Sequence, residues 1–379
     1  MSLDHISTSQ IIYYMLYGAA TMVSLIACIY MLFRKGNAFS PEVTPPVRLR
    51  RWAAAFFGVV SVGHVWWALF YLYSGDNYSV SCIVASMLDC VGLLTTIPGT
   101  LFAMLQDRKR HVWPIVIATI PYAVLLGLHL VYSNAYLIKI ATAYLFLLYV
   151  LFTLYMVYTV KKYGRWLRDN YADLEHKEVR WSYVLTIVLF LSISIYGFDG
   201  RVITISYLVQ FLSLALVGLL LWRVETLQQL EVVTDQDVPV QALATQTPIV
   251  QTPTEAPSEV EEVAPSTISS EIEQLLERCC ENEQLYLQHD LTLSQLSQTI
   301  GTNHYYLSQY FTQQGLTYNA YINGLRINHF INLYHEAVAN QRTFTAQQLA
   351  NESGFRSYST FSAVFKQRMG QTVTAWMNS

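Results

Sequence analysis

The segment TAQQLANESGFRSYSTFSAVF, residues 345–365, has the pattern of two short helices joined by a tight turn. Its opening threonine is followed three residues later by Gln348, which is typical of a capping box at a helix N-terminus. Gly354 tolerates the positive φ that a sharp turn between two helices requires. Phe361 and Phe365 are four residues apart, so they share one face of the second helix. The pattern predicts a helix-turn-helix unit whose exposed face is rich in hydroxyl and amide groups.

The same arrangement occurs earlier in the chain. Thr292 and Gln295 have the capping-box spacing, and Gly301 follows Thr292 at the distance that separates the corresponding threonine and glycine of the later copy. Leu307 and Phe311 then provide two apolar anchors four residues apart on the second helix. The last part of the chain is therefore predicted to contain two helix-turn-helix units.

Residues 318–338, between the two copies, carry apolar side chains at helical spacing and predict one long connecting helix. Two units joined in this way resemble the DNA-binding domain of AraC/XylS-type transcription regulators, and the resemblance covers residues 271–379. The residues that carry it are the turn GTNHYYLSQYF at 301–311, Leu325 and Arg326 in the connecting helix, and GFRSYSTFSAVFK at 354–366 followed by MGQT.

The resemblance implies that the second helix of each unit enters a major groove, and that the two grooves are successive on one face of double-stranded DNA. Polar or small residues beside the apolar anchors would then face base edges, with Ala363 offering only an apolar contact to a thymine methyl group. Basic residues near the second unit would contact phosphates. The base-facing positions are Tyr305, Ser308, Gln309, Ser359, Ser362 and Ala363, and the phosphate contacts are Arg356, Lys366 and Arg368.

The composition of the whole chain does not fit an ordinary soluble protein. Of its 379 residues 53% are hydrophobic and only 13% are charged. Residues 1–223 contain 17 Lys and Arg against 10 Asp and Glu, residues 224–277 contain none against 11, and residues 278–379 contain 6 against 5. The chain is therefore predicted to have three regions of different character rather than one average character.

Seven apolar runs are long enough to cross a bilayer, which takes about 20 residues. Lys and Arg cluster after the first, third and fifth runs, and the opposite ends carry almost none. Because cytoplasmic loops retain basic residues, this places the N-terminus outside and everything after residue 222 in the cytoplasm. The predicted spans are residues 11–33, 52–73, 80–105, 112–132, 135–160, 181–198 and 202–222.

His64 and Asp89 lie within the second and third predicted spans, at similar depth from the outer surface. Ionisable groups at membrane depth are costly and usually face the interior of a helix bundle. A short outer loop joins these spans, so contact between the two side chains is geometrically allowed. Two interpretations remain open, namely a structural pair that holds two helices together and a proton-sensitive or ligand-sensitive sensor site.

The chain has none of the motifs that would indicate chemistry. Phosphate-binding loops, nucleophile elbows and zinc-protease motifs are absent from the sequence, and the five cysteines lack the spacing of a metal site or a disulfide framework. We therefore predict no catalytic residues, no metal and no cofactor.

Residues 224–270 separate the spans from the predicted DNA-binding domain. The segment at 224–233 can extend the seventh helix, and 235–270 is acidic and rich in proline, without aromatic or basic residues. Such a composition resists a packed core and predicts a disordered tether. The predicted fold class is all-α, with a seven-helix transmembrane bundle at 1–223, the acidic linker at 224–270, and a cytoplasmic double helix-turn-helix domain at 271–379.

These features favour a one-component transcription regulator in a bacterial cytoplasmic membrane, with the spans as sensor and DNA as partner. The signal would be a small or membrane-embedded one. The nearly neutral DNA-binding region favours a homodimer, because phosphate neutralisation provides much of the affinity for DNA. Two other classes stay open: a transporter or channel-like protein whose cytoplasmic module binds a protein, and an intramembrane enzyme.

Overall fold

The computed structural model describes residues 7–73, 78–174, 177, 203–230 and 265–378. Their regular elements are all helices, and the one β-bridge among them is an isolated pair between Tyr171 and Thr292. The predicted all-α class is therefore confirmed. The chain forms two compact units, one comprising Met1–Gly164 and His176–Val232, the other Arg165–Glu175 and Val233–Ser379.

The first unit contains the long apolar helices. Six helices of the described residues are long and apolar enough to cross a membrane. The predicted sixth span, 181–198, lies outside the described residues. The helices are α1 (Thr8–Phe33), α2 (Val47–Tyr73), α3 (Tyr78–Met104), α4 (Trp113–Tyr132), α5 (Ala135–Asn170) and α6 (Ile203–Thr226).

These helices pack mainly against their neighbours in sequence. Helix α2 packs against α1 and α3, α3 packs against α4, and α1 also packs against α6. Large apolar side chains such as Ile26, Ile117 and Leu154 remain exposed on the outer faces. Exposed apolar surface on helices of this length fits a lipid environment, because water would penalise it.

A buried ion pair connects the first and last described helices of this unit. The guanidinium of Arg34, just after α1, contacts the carboxylate of Glu225 near the end of α6. The side-chain amide of Asn37 donates to the backbone carbonyls of Val43 (2.9 Å) and Glu225 (2.7 Å). Because paired and hydrogen-bonded charges tolerate burial, this network can tie the loop after α1 to α6.

The region between the units differs from the predicted boundaries in two respects. Helix α6 ends at Thr226, so the segment 227–230 is not helical. The next helix, α7 (Pro265–Leu275), begins within the predicted tether and makes its last six residues helical. Proline is well suited to a first helical position, because the amide that it lacks would have no partner inside the helix. Residues 231–264 lie outside the described residues.

The second unit contains the short helices. Helix α7 continues as a wider π-helix at Leu276–Asn282, and a 3₁₀ turn follows at Leu285–Leu287. The remaining helices are α8 (Leu293–Thr299), α9 (His304–Gln313), α10 (Tyr318–Ala339), α11 (Ala346–Glu352), α12 (Tyr358–Met369) and α13 (Val373–Met377). Helix α10 is the predicted connecting helix.

Helix α10 belongs to two apolar cores at once. Tyr318 and Ile322, near its N-terminus, pack into the core that includes α8 and α9. Ile327 and Phe330, further along, pack into the core that includes α11 and α12. Because one rigid helix contributes to both cores, it fixes the spacing between the two helix-turn-helix units.

Candidate nucleic-acid interface

Each helix-turn-helix unit begins with the predicted capping box. In the first, the Gln295 amide donates to Thr292 Oγ1 at 3.1 Å, and the Thr292 amide donates to Gln295 Oε1 at 3.0 Å. The corresponding distances between Thr345 and Gln348 in the second unit are 3.2 and 3.0 Å. Both capping boxes are confirmed, and each satisfies two backbone amides at the start of its helix.

The turns and apolar anchors also match the predictions. Gly301 and Gly354 have φ values of +73° and +89°, in the region that favours glycine. The anchor side chains Leu307, Phe311, Phe361 and Phe365 are all buried. The second helix of each unit therefore holds one face in the core and leaves the other available to a ligand.

Helix α9 presents the predicted base-facing residues of the first unit. Its N-terminus is capped by Asn303, whose side-chain oxygen accepts from the Tyr305 amide at 2.8 Å. The Tyr305 side chain is 65% exposed, Gln309 is exposed and Ser308 is half-buried. All three lie where a duplex could reach them.

Helix α12 presents the corresponding residues of the second unit. Ser359 and Ala363 are exposed, and Ser362 is half-buried. The Oγ atoms of Ser359 and the N-capping Ser357 are 3.1 Å apart, so the Ser359 hydroxyl already has a local hydrogen-bond neighbour. Because a hydroxyl can both donate and accept, Ser359 could keep this local hydrogen bond and still contact a base.

The three predicted phosphate contacts have different surroundings. Lys366 and Arg368 are exposed in the last turn of α12. Arg368 lies against α10, because a Cβ atom built on Gly324 would be 2.5 Å from its Nη1. Arg356 forms a 2.8 Å ion pair with Asp290 of the first unit. A phosphate contact by Arg356 would therefore compete with an internal carboxylate.

A buried arginine on α10 contacts both helix-turn-helix units. Arg326 on α10 is 2% exposed, and it donates to the backbone carbonyls of Tyr286 (2.7 Å) and Gln288 (2.8 Å). Its guanidinium carbon lies 5.7 Å from the ring centroid of Phe355, at the turn of the second unit. Burial lowers the pKa of Arg326, and nearby Tyr318 and Asp173 act in the opposite direction. These contacts fix the loop before α8 relative to the turn before α12.

Two residues of α9 escaped the sequence analysis. Tyr306 is exposed, and its ring centroid is 5.7 Å from that of Tyr305, so the two rings form an aromatic surface at the start of the helix. Adjacent aromatic residues after a polar turn are a sequence signal that could have identified Tyr306. The ring of His304, the first residue of α9, contacts the Asn170 side chain at 3.0 Å (Nε2 to Oδ1). No local sequence pattern indicates that contact.

The candidate sensor residues, which lie in the compact unit of long apolar helices, have separate hydrogen-bond partners. His64 Nε2 is 3.1 Å from Gln210 Oε1 on α6, and His64 Nδ1 is 2.8 Å from the Val60 carbonyl oxygen. The Asp89 carboxylate accepts from the indole nitrogen of Trp67. Gln210 was missed, although an amide inside an apolar span is itself a signal of an interior-facing position. His64 therefore connects α2 to α6, whereas Asp89 connects α3 to α2.

Comparison with known proteins supports the assignment of the second compact unit, which contains both helix-turn-helix units, as a DNA-binding domain. A family model described as a helix-turn-helix domain, of the AraC type, matches residues 296–379. The match includes both turns, α9 and α12, and it supports a DNA-binding transcription regulator. No curated protein and no solved structure matches the chain.

Proposed function

We propose that the chain is a membrane-tethered transcription regulator that senses a signal through its apolar helices and binds double-stranded DNA through its two helix-turn-helix units. The observation that carries the DNA-binding part is the repeated unit itself: a capped helix, a positive-φ glycine and an exposed polar helix, present once before α10 and once after it. Two such helices on one rigid element suit two successive major grooves. The proposed base and phosphate contacts are those predicted from the sequence.

Low positive charge favours action by two copies. Residues 278–379 contain 6 basic and 5 acidic residues, and of the basic ones Arg326 is buried and Arg356 is paired with Asp290. Because neutralisation of phosphates supplies much of the affinity for DNA, one copy should bind weakly. A homodimer, with the membrane raising the local concentration, would provide the rest.

The charge distribution supports a multi-pass protein of the bacterial cytoplasmic membrane with an external N-terminus. Arg34, Lys35 and the basic residues of 48–51, 108–110 and 161–168 would lie on the cytoplasmic side. The proposed domains are 1–223 in the membrane, 224–270 as connection and 271–379 as DNA reader. Cysteine substitution at Ser9 and at Thr267, in a chain whose five native cysteines are replaced by serine, is followed by labelling of intact cells with an impermeant maleimide, and only the first should react.

Gln309→Ala removes the side-chain amide of Gln309 and is expected to weaken specific DNA binding by about 5- to 150-fold, the range for one good base contact. The measurement is genome-wide chromatin capture of the full-length chain, followed by affinity for the captured sites. Gln347→Ala is the matched control, because Gln347 is exposed on α11, which is not a groove-entering helix. Recovery of no genomic sites with the wild-type chain would contradict DNA binding and favour a protein-binding module.

A sensor role for the interior of the compact unit of apolar helices rests on its polar side chains. His64 joins α2 to Gln210 on α6, and the Tyr17 hydroxyl of α1 donates to the backbone carbonyl of His64. Three helices therefore meet at this residue, so a ligand or proton that binds there could change their packing. We keep Asp89 as a second candidate, bound to Trp67.

Gln210→Ala and His64→Ala are expected to change occupancy of the captured sites in the same direction and to a similar extent, because each removes the same hydrogen bond. Asp89→Asn should have a smaller effect, because an amide oxygen can still accept from Trp67. Occupancy is measured by chromatin capture in cells, with protein levels matched. Equal effects of Asp89→Asn and His64→Ala would instead indicate one joint site, and unchanged occupancy in all three variants would exclude a sensor role.

A further inference from the structure

The short segment that follows the apolar part of α5 is built into the core of the second unit. Residues 165–175 belong to that unit, although the chain reaches them from the fifth apolar helix. Ala172 is 1% exposed and packs into the apolar core formed by α8, α9 and α10. Its amide donates to the Leu291 carbonyl at 3.3 Å, next to the bridge between Tyr171 and Thr292. The segment thus occupies a position inside the first helix-turn-helix unit.

Helix α10 receives the backbone of this segment with two asparagine side chains. Asn319 Nδ2 donates to the carbonyls of Tyr171 (3.2 Å) and Ala172 (2.6 Å). Asn323, one turn later and 3% exposed, donates to the Ala172 carbonyl at 3.2 Å. Buried amides need hydrogen-bond partners, and the carbonyls of residues 171 and 172 provide them. The side chains of α10 therefore form a surface suited to an extended peptide backbone.

The same segment reaches the beginning of the first groove-entering helix. Asn170, the last residue of α5, contacts His304, the first residue of α9. His304 immediately precedes Tyr305, the first proposed base-facing residue. In helix-turn-helix proteins the N-terminal residues of the second helix are the ones that reach base edges. A duplex that approaches Tyr305 would meet Asn170.

The length of α5 allows one helix to serve both as a span and as the start of this segment. Its 36 residues extend about 54 Å at 1.5 Å per residue, whereas the hydrocarbon core of a bilayer is about 30 Å thick. The excess contains Lys161, Lys162, Arg165 and Arg168, which favour the aqueous side. Helix α5 therefore reaches α9 directly, through the hydrogen bond between Asn170 and His304, and this route does not pass through residues 231–264.

We propose that residues 170–173, here called the clasp, compete with DNA for the N-terminal end of α9, and that the membrane helices control DNA binding by docking or releasing the clasp. This inference rests on the proposed DNA-binding function and specifies how that function is regulated. The receiving surface is formed by Leu291, Thr292, His304, Asn319 and Asn323, and its occupant is the chain's own α5 extension. Signal transfer then needs neither cleavage nor a stiff linker.

The test uses the full-length chain in lipid nanodiscs and the variant Asn319→Asp, whose carboxylate would face the carbonyl oxygens of Tyr171 and Ala172. Hydrogen exchange of residues 170–174 is expected to rise, because the clasp loses the two hydrogen bonds that Asn319 donates and meets a negative charge instead. Affinity for a fluorescein-labelled duplex of mixed sequence should exceed that of the control by about 10-fold, within the usual range of coupling between two sites. Asn332→Asp is the control, since it adds the same charge at an exposed position of α10.

A second variant approaches the contact from the clasp side. Ala172→Glu places a long charged side chain in a fully buried position, so it should expel the clasp without adding a positive charge that would itself attract phosphates. Both variants must raise exchange and affinity together. Raised exchange with unchanged affinity, or unchanged exchange in both variants, would overturn the clasp. Failure of wild type and control to bind any duplex, even at low salt, would instead overturn the proposed DNA-binding function and the clasp with it.

Discussion

Replacement of Phe361 by alanine is expected to lower the free energy of unfolding of the second helix-turn-helix unit by about 3–5 kcal/mol, the usual cost of removing a buried phenylalanine ring. The ring is buried at the centre of an aromatic cluster, with centroids 4.4 Å from Phe330, 5.3 Å from Phe355 and 5.6 Å from Phe365. These rings come from α10, the turn and α12, so they cannot collapse into the cavity without moving a helix.

Hydrogen exchange of the full-length chain can measure this loss locally, through the opening free energy of the amides of α12. Tyr305→Ala is the matched control, because it removes an exposed aromatic side chain and should change stability by no more than about 0.5 kcal/mol. Both variants should weaken DNA binding, but only Phe361→Ala should do so by unfolding the second helix-turn-helix unit. A loss below about 1 kcal/mol in Phe361→Ala would contradict the packing described for this core.

Gly354→Ala is expected to destabilise the second unit by more than Gly301→Ala, although both glycines have positive φ. A Cβ atom on Gly354 would lie 2.9 Å from the Leu287 Cα atom and 3.0 Å from the Tyr286 and Leu287 carbonyl oxygens. Nothing lies within 4 Å of the corresponding Cβ on Gly301. Both variants therefore carry a conformational cost of about 1–2 kcal/mol, and Gly354→Ala adds a steric cost of about 1–3 kcal/mol, because backbone atoms must move.

The expected difference has a functional consequence, because the atoms that crowd Gly354 belong to the loop before α8. The same loop is held by Arg326 and by His289, whose Nδ1 donates to the Gly354 carbonyl at 3.1 Å. Displacement of this contact should change the spacing of α9 and α12. Gly354→Ala is therefore expected to reduce affinity for captured sites more than for a duplex of mixed sequence, whereas Gly301→Ala should affect both alike. Equal exchange protection in the two glycine variants would contradict the close approach at Gly354.

Local features of the second unit could be predicted from the sequence because each depends on residues only a few positions apart. Thr292 and Gln295 form their capping box within one helical turn, and Gly301 adopts positive φ through its own lack of a Cβ atom. The apolar anchors follow from the helical period, which determines which side chains share a face. The exposure of Tyr305 and Gln309 also follows, since both lie away from the anchor face.

The contacts of the sensor candidates and of the basic residues could not be predicted in this way. His64 finds its hydrogen-bond partner 146 residues later at Gln210, although Asp89 is much nearer in sequence. Arg356 has the position expected of a phosphate contact, but the ion pair with Asp290 appears only when the two units pack together. A pattern identifies a polar side chain on a helix, whereas its partner depends on which helices become neighbours.

By itself the sequence determined the class of each element: long apolar helices, an acidic connection, and two capped helix-turn-helix units with their exposed residues. Only the tertiary structure decided that Ala172, at the end of a long apolar helix, completes the core of the first unit, and that Asn319 holds it there from 147 residues away. The physical reason is that helix period, capping and turn geometry are local interactions, whereas the occupant of a buried surface is selected by shape and hydrogen bonding among all segments of the folded chain.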